Sequence, residues 1–134
     1  MDLIFLFIII FIIADILFAF FIIKKRKKIS AKDLKFIKNK WQKIKNIFEN
    51  DPKSAILEAD KVLDLILFKK GYQGSTGEKL KKSAKLFSNL NEIWHAHKTR
   101  NKIAHEIDYS ISSAESQKVL KIFEKAFKDL GIEL

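Results

Sequence analysis

Hydrophobic and polar positions divide this chain into two unequal parts. From Leu3 to Ile23 the run LIFLFIIIFIIADILFAFFII is apolar on every side, with Asp15 its single charge. A helix over these 21 residues is about 31 Å long, close to the hydrocarbon thickness of a bilayer. A soluble protein this small has no interior able to surround such a helix. The pattern therefore predicts a transmembrane helix. KKRKK, Lys24 to Lys28, follows at once and reads as a stop-transfer cluster. By the positive-inside rule it puts the C-terminal part in the cytoplasm and the N-terminus outside. A cleaved signal peptide would want a basic start, a shorter apolar core and small residues at its end; here Asp2 precedes the run and bulky residues close it. The expected organisation is an anchor over residues 1–28 and a cytoplasmic domain over 29–134.

After the anchor the pattern changes to a period of three and four. Ser30 and Asp33 form a capping pair ahead of Leu34, Ile37, Trp41, Ile44 and Phe48, one apolar stripe of an amphipathic helix. Asp51 and Pro52 restart a helix that runs to about Lys70, with Ile56, Ala59, Leu63, Ile66 and Leu67 inward. GYQGSTGEK holds three of the four glycines and predicts the main loop. It fails the phosphate-loop spacing, because Glu78 and not lysine follows Gly77. A short helix is expected from about Glu78 to Phe87, a further one from about Leu90 to Asp108, and a last one after SISSAE. That last helix carries Val119, Ile122, Phe123, Ala126 and Leu130, and Gly131 stops it. No stretch alternates as a strand would. The fold class is all-α: a transmembrane helix followed by a bundle of four or five helices.

Charge adds a choice of partners. Residues 29–134 carry 21 Lys and Arg against 14 Asp and Glu, a balance of +7. Six lysines fall between Lys32 and Lys45 beside the single acid Asp33. Such a face suits anionic lipid headgroups next to a membrane, and it also suits RNA phosphates; a plainly solvated helix face is the simpler alternative. Lys24, Lys25, Arg26, Lys27 and Lys28 share that choice between lipid and RNA. Asp15 costs roughly 2.5–3.5 kcal/mol at mid-membrane, which its apolar neighbours can absorb, and it either contacts a partner helix or is simply tolerated. The chain has no cysteine, in keeping with a reducing compartment.

The chemistry gathers in HAHKTRNKIAHE, residues 95 to 106, which holds all three histidines and one of only two arginines, Arg26 and Arg100. At roughly 100° per residue, Leu90, Ile93, Ile103, Ala104 and Ile107 share one side of this helix. Glu92, His95, Lys98, Thr99, Lys102 and Glu106 share the other. His97 and Arg100 fall within the apolar stripe, with Asn101 and His105 along its border. Guanidinium is weakly hydrated and grips carboxylate or phosphate with two nitrogens, so it is suited to a packed position. It must then have a partner, and Asp60, at the edge of the apolar side of its own helix, can supply a salt bridge between helices. His97 reads first as a hydrogen-bonded core histidine. No metal site is expected: His95 and His97 project from opposite sides, and His97 and His105 stand two turns, about 12 Å, apart. No cofactor is expected either.

RNKIAH, Arg100 to His105, resembles the R-x4-6-H motif of HEPN domains, including the polar residue after the arginine. AILEADKVLDLIL and WHAHKTRNKIAHEID are similar to the corresponding segments of membrane-anchored bacterial proteins of this type. The resemblance covers roughly residues 30 to 134. It implies a bundle of four or five helices with the motif on a late helix, and a homodimer in which two motifs meet in one cleft. It also implies a metal-independent RNA endonuclease, as in toxins of toxin–antitoxin pairs and CRISPR-associated nucleases, with an antitoxin-like or other protein partner conceivable. His105 would be the general acid and base, Arg100 would stabilise charge on the scissile phosphate, Asn101 would orient phosphate or arginine, and His97 would supply a second imidazole. The membrane anchor departs from such toxins. Other HEPN domains do not cleave RNA and serve as nucleotide-binding or interaction modules, so a membrane-tethered scaffold is the rival expectation. The two are separated by whether Arg100 and His105 line an open cleft or Arg100 is sealed against Asp60.

Overall fold

The computed structural model describes residues 2–24 and 28–134, and of residues 22–24 the backbone alone. Among the described residues every regular element is helical: α1 (Leu3–Lys24), α2 (Ala31–Phe48), α3 (Pro52–Lys69), α4 (Thr76–Lys82), α5 (Leu90–His105) and α6 (Ser113–Asp129), with one 3-10 turn at Ala84–Leu86. Helix α1 is long and apolar enough to cross a membrane; Leu3–Phe21 has a mean hydropathy of 3.2 and none of it is buried within the protein. Asp15 lies on its exposed surface. Lys25, Arg26 and Lys27 of the basic cluster fall outside the described residues, Lys24 closes α1, and Lys28 is exposed.

The remaining helices form a bundle around α3, which packs against α2, α4, α5 and α6, while α5 also packs on α6. The predicted stripes supply the core. Ile37, Trp41 and Ile44 of α2 meet Ile56, Ala59, Leu63, Ile66 and Leu67 of α3 and Val119, Phe123, Ala126 and Phe127 of α6, all of them buried. Trp41 sets its ring edge-on to Phe127 with centroids 5.2 Å apart.

Each helix of the bundle starts where a side chain can satisfy its free N–H groups. Ser30 accepts from the Asp33 amide, Asn89 from that of Glu92 and Ser112 from that of Glu115. At Asp51 both the hydroxyl and the backbone N–H of Ser54 donate to the carboxylate, at 2.5 and 3.0 Å, and they hold its pKa below the usual carboxylate range. Asp33 is lowered likewise, first by the Ser30 hydroxyl and then by Lys69. A carboxyl whose folded pKa lies below its unfolded one contributes stability above the unfolded value, and loses it as pH falls through the folded value. The unfolding midpoint is therefore expected to drop as pH descends through the carboxylate range, and Asp51→Asn should flatten that part of the profile in a thermal melt. An unchanged slope would remove the cap from the account.

Two predicted boundaries need correction. The short helix begins at Thr76, two residues before Glu78, because Ser75 accepts from the Glu78 amide and starts the helix inside the glycine-rich stretch. It closes at Lys82, where the Ser83 hydroxyl donates back to the Lys79 carbonyl at 2.7 Å. Gly74 takes φ +109, and a Cβ there would collide with the Glu78 carboxylate. The buried Lys79 ammonium donates to both oxygens of Asp64 at 2.9 Å, and Thr76 donates to the same carboxylate, which pins α4 on α3.

The second correction concerns α5, which ends at His105 and not at Asp108. Glu106 turns to an extended conformation and Asp108 takes φ 60. Ala104 is exposed, and Ile107 is 93% exposed, although the helical period places both with the apolar side. An amphipathic turn with nothing packed on it gains too little to stay helical. Thr99, expected outside, is buried at 4% exposure, because α6 covers part of the side that the wheel assigns to solvent.

Candidate functional site

The site forms where α5 crosses α3. Asp60 sits in the middle of α3 at 2% exposure and faces His97 and Arg100 of α5. His97 Nδ1 lies 2.9 Å from Asp60 Oδ1. Arg100 Nε lies 3.4 Å from the other oxygen, Oδ2. This second contact is an ion pair that does not make a hydrogen bond, so Nε is buried with charge compensation but without a hydrogen-bonded acceptor among the described residues.

Asn101 closes the circuit. Arg100 Nη1 donates to Asn101 Oδ1 at 2.9 Å, and Asn101 Nδ2 lies 3.5 Å from His97 Nε2. With the amide oxygen turned to the arginine, its nitrogen can only donate to Nε2, so the arrangement fits the His97 tautomer that carries its proton on Nδ1 and donates it to Asp60. Asp60, His97, Asn101 and Arg100 thus form a closed polar ring across two helices. Trp94 sets its indole edge-on to His97, with centroids 6.0 Å apart, and fixes the imidazole from the side.

The ring is not sealed from solvent. The Arg100 side chain is 26% exposed, whereas that of Asp60 is 3% exposed. Nε is the arginine nitrogen that is buried without a hydrogen bond, which leaves the outer end of the guanidinium as its accessible part. His105, the last residue of α5, is exposed and makes no hydrogen bond or ion pair among the described residues. Arg100 and His105 leave the helix about 140° apart and about 7.5 Å along its axis. One copy therefore presents them as separate groups. Beyond His105 the chain is held at Tyr109, whose carbonyl accepts from the Lys53 ammonium.

The structure thus brings Asp60, His97, Asn101 and Arg100 together and leaves His105 apart. His95, to which no role was assigned, is exposed and paired with Glu115 of α6 at 2.5 Å. The helical wheel also missed the contact of Trp94 with His97; an aromatic three residues before a buried histidine was its only signal. No group of three or more His, Asp or Glu able to hold a metal ion occurs among the described residues. Chemically, the arrangement can present a held guanidinium to an anion, with the exposed His105 imidazole set apart from it. Neither family models, nor curated proteins, nor solved structures give a significant match to the chain.

Proposed function

We propose that this chain is a single-pass membrane protein whose bundle faces the cytoplasm and binds RNA as a HEPN-like module, without a metal. The observation that carries the reading is the ring. It spends Asp60, His97 and Asn101 on holding one arginine at the surface, at the position of the R-x4-H motif. A guanidinium held in this way meets a phosphate oxygen with little loss of side-chain freedom. In this reading Arg100 contacts phosphate, while Asn101 and His97 position the arginine. His105 is the acid–base group of a cleaving site that a second copy completes, since the two motif side chains of one copy diverge.

The rival reading, a tethered scaffold that does not cleave, is favoured by one specific observation: Arg100 is already paired with Asp60, as a purely architectural arginine would be. RNA cleavage and RNA binding by the full chain in detergent micelles, with EDTA present, separate the two. Binding that Arg100→Ala weakens across all sequences, with the salt slope smaller by about one, supports the first reading. RNA affinity that is indifferent to Arg100 supports the second.

A further inference from the structure

Phe36 of α2 and Phe68 of α3 are 49% and 48% exposed. Neither belongs to the inward stripe of its helix, so no part of the bundle core calls for an aromatic at either position. Single exposed apolar side chains are ordinary, but these two are joined. Phe36 and Leu65 line one open groove of about 240 Å³ together with Lys32, Asp33 and Lys69, and Leu65 lies one turn before Phe68 on the same helix. The Lys69–Asp33 ion pair, at 3.1 Å, fixes the end of α3 beside the start of α2.

Charge and position say what this face meets. Between residues 28 and 48 Asp33 is the single acid, and it is already paired with Lys69. The Lys40 ammonium stands 5.8 Å from the centre of the Phe36 ring and is free to reach a headgroup, whereas the ammonium beside the Phe68 ring, that of Lys79, is buried on Asp64 and is not part of this face. Apolar rings with ammonium groups beside them are the composition of an interfacial anchor, in which rings enter the headgroup boundary and lysines reach phosphates. Six residues separate Lys24, the last of α1, from Ala31, the first of α2. Their full extension is about 25 Å, so the α2 end carrying this face stays close to wherever α1 leaves a bilayer. A dimer contact fits less well, because a stable one needs roughly 800 Å² from each partner and this patch offers three apolar side chains.

We infer that Phe36, Leu65 and Phe68, with Lys32, Lys40 and Lys69, dock the bundle onto the anionic lipid surface beside its own anchor. The inference rests on the membrane reading of α1. Docking in this way holds the bundle flat against the headgroups and restricts which of its other surfaces a partner in solution can approach.

The chain has no cysteine, so single thiols can be introduced without background. Phe68→Cys, carrying an environment-sensitive bimane, would be compared with Lys118→Cys on the exposed side of α6. The full chain would sit in nanodiscs of phosphatidylcholine, with or without phosphatidylglycerol. With phosphatidylglycerol, the label at 68 is expected to shift to the blue and to lose access to an aqueous quencher several-fold, while the label at 118 stays accessible. High salt should weaken this shielding, and adding Phe36→Asp, which alters an exposed side chain only, should abolish it. Equal accessibility at 68 and 118 in both lipids overturns the proposal. So does shielding that appears in detergent and grows with protein concentration, which would mark contact between copies, or shielding that appears only when RNA is added. A chain that fails to enter the discs removes the anchor reading and this proposal with it. Entry without shielding at 68 removes the docking face alone.

Discussion

Asp60→Ala is expected to destabilise the bundle by about 3–5 kcal/mol, the cost of leaving buried charge uncompensated when one partner of a pair is removed. Asp60 is buried at 2% exposure and serves two groups on α5 at once. Its loss strands the His97 Nδ1–H and the buried Arg100 Nε without the carboxylate that compensates both. Asp60→Asn should cost less, because the amide oxygen still accepts from His97 while the charge opposite Arg100 is gone. Arg100→Ala should also cost less, since Asp60 keeps its hydrogen bond to His97 and the arginine is already 26% exposed. Denaturant unfolding of the full chain in micelles, followed by circular dichroism, orders the three variants. Asp60→Ala within about 0.5 kcal/mol of the parent, the range of an ordinary surface change, would mean that the ring is not what holds α5 on α3.

If the proposed cleaving site operates, His105→Ala is expected to lower RNA cleavage by about 10²–10⁴-fold, the usual contribution of a positioned general acid or base, and to leave the fold intact. The second half of that statement gives the test its strength. His105 is exposed at the end of α5 without a described partner, so its removal leaves no buried group unsatisfied. His97→Ala should behave differently, with stability and RNA binding falling together, because the imidazole is bonded to Asp60 and faces Asn101. Arg100→Ala should abolish cleavage by removing the charge opposite the scissile phosphate. Absence of cleavage by the parent chain in EDTA, with RNA binding retained, would confine the proposal to binding. Absence of both would leave the scaffold reading.

Much of the bundle was legible because its signals are local. Ser30, Asp51 and Ser112 announce helix starts by chemistry contained within four residues, and the stripes of α2, α3 and α6 repeat at the period that burial requires. Where two local signals competed, the weaker one misled. The glycines around Gly77 predicted a loop, while Ser75 and Glu78 were already forming a cap. At the end of α5 the apolar period continued through Ile107, but no neighbour was there to bury it.

The candidate site was legible only in part. That Arg100 needs a partner followed from its place in an apolar stripe, and Asp60 was the acid within reach. That one carboxylate would hold both His97 and Arg100, with Asn101 bridging them, did not follow. Helical period sets the direction in which a side chain leaves its own axis, to within tens of degrees. A closed ring of contacts near 3 Å depends also on how far α5 slides along α3 and how it turns, and these are set by the packing of Ile56, Ala59, Leu63, Ile93 and Ala96 in the core. The same packing left Phe36 and Phe68 outside, which no single-helix pattern could assign. By itself the sequence determined the long apolar N-terminal helix, the helical elements, most of their caps, and the placing of arginine where lysine would not serve. The tertiary structure alone decided that one carboxylate holds both His97 and Arg100 while His105 stays exposed without a partner among the described residues, because burial belongs to pairs of helices and not to either one.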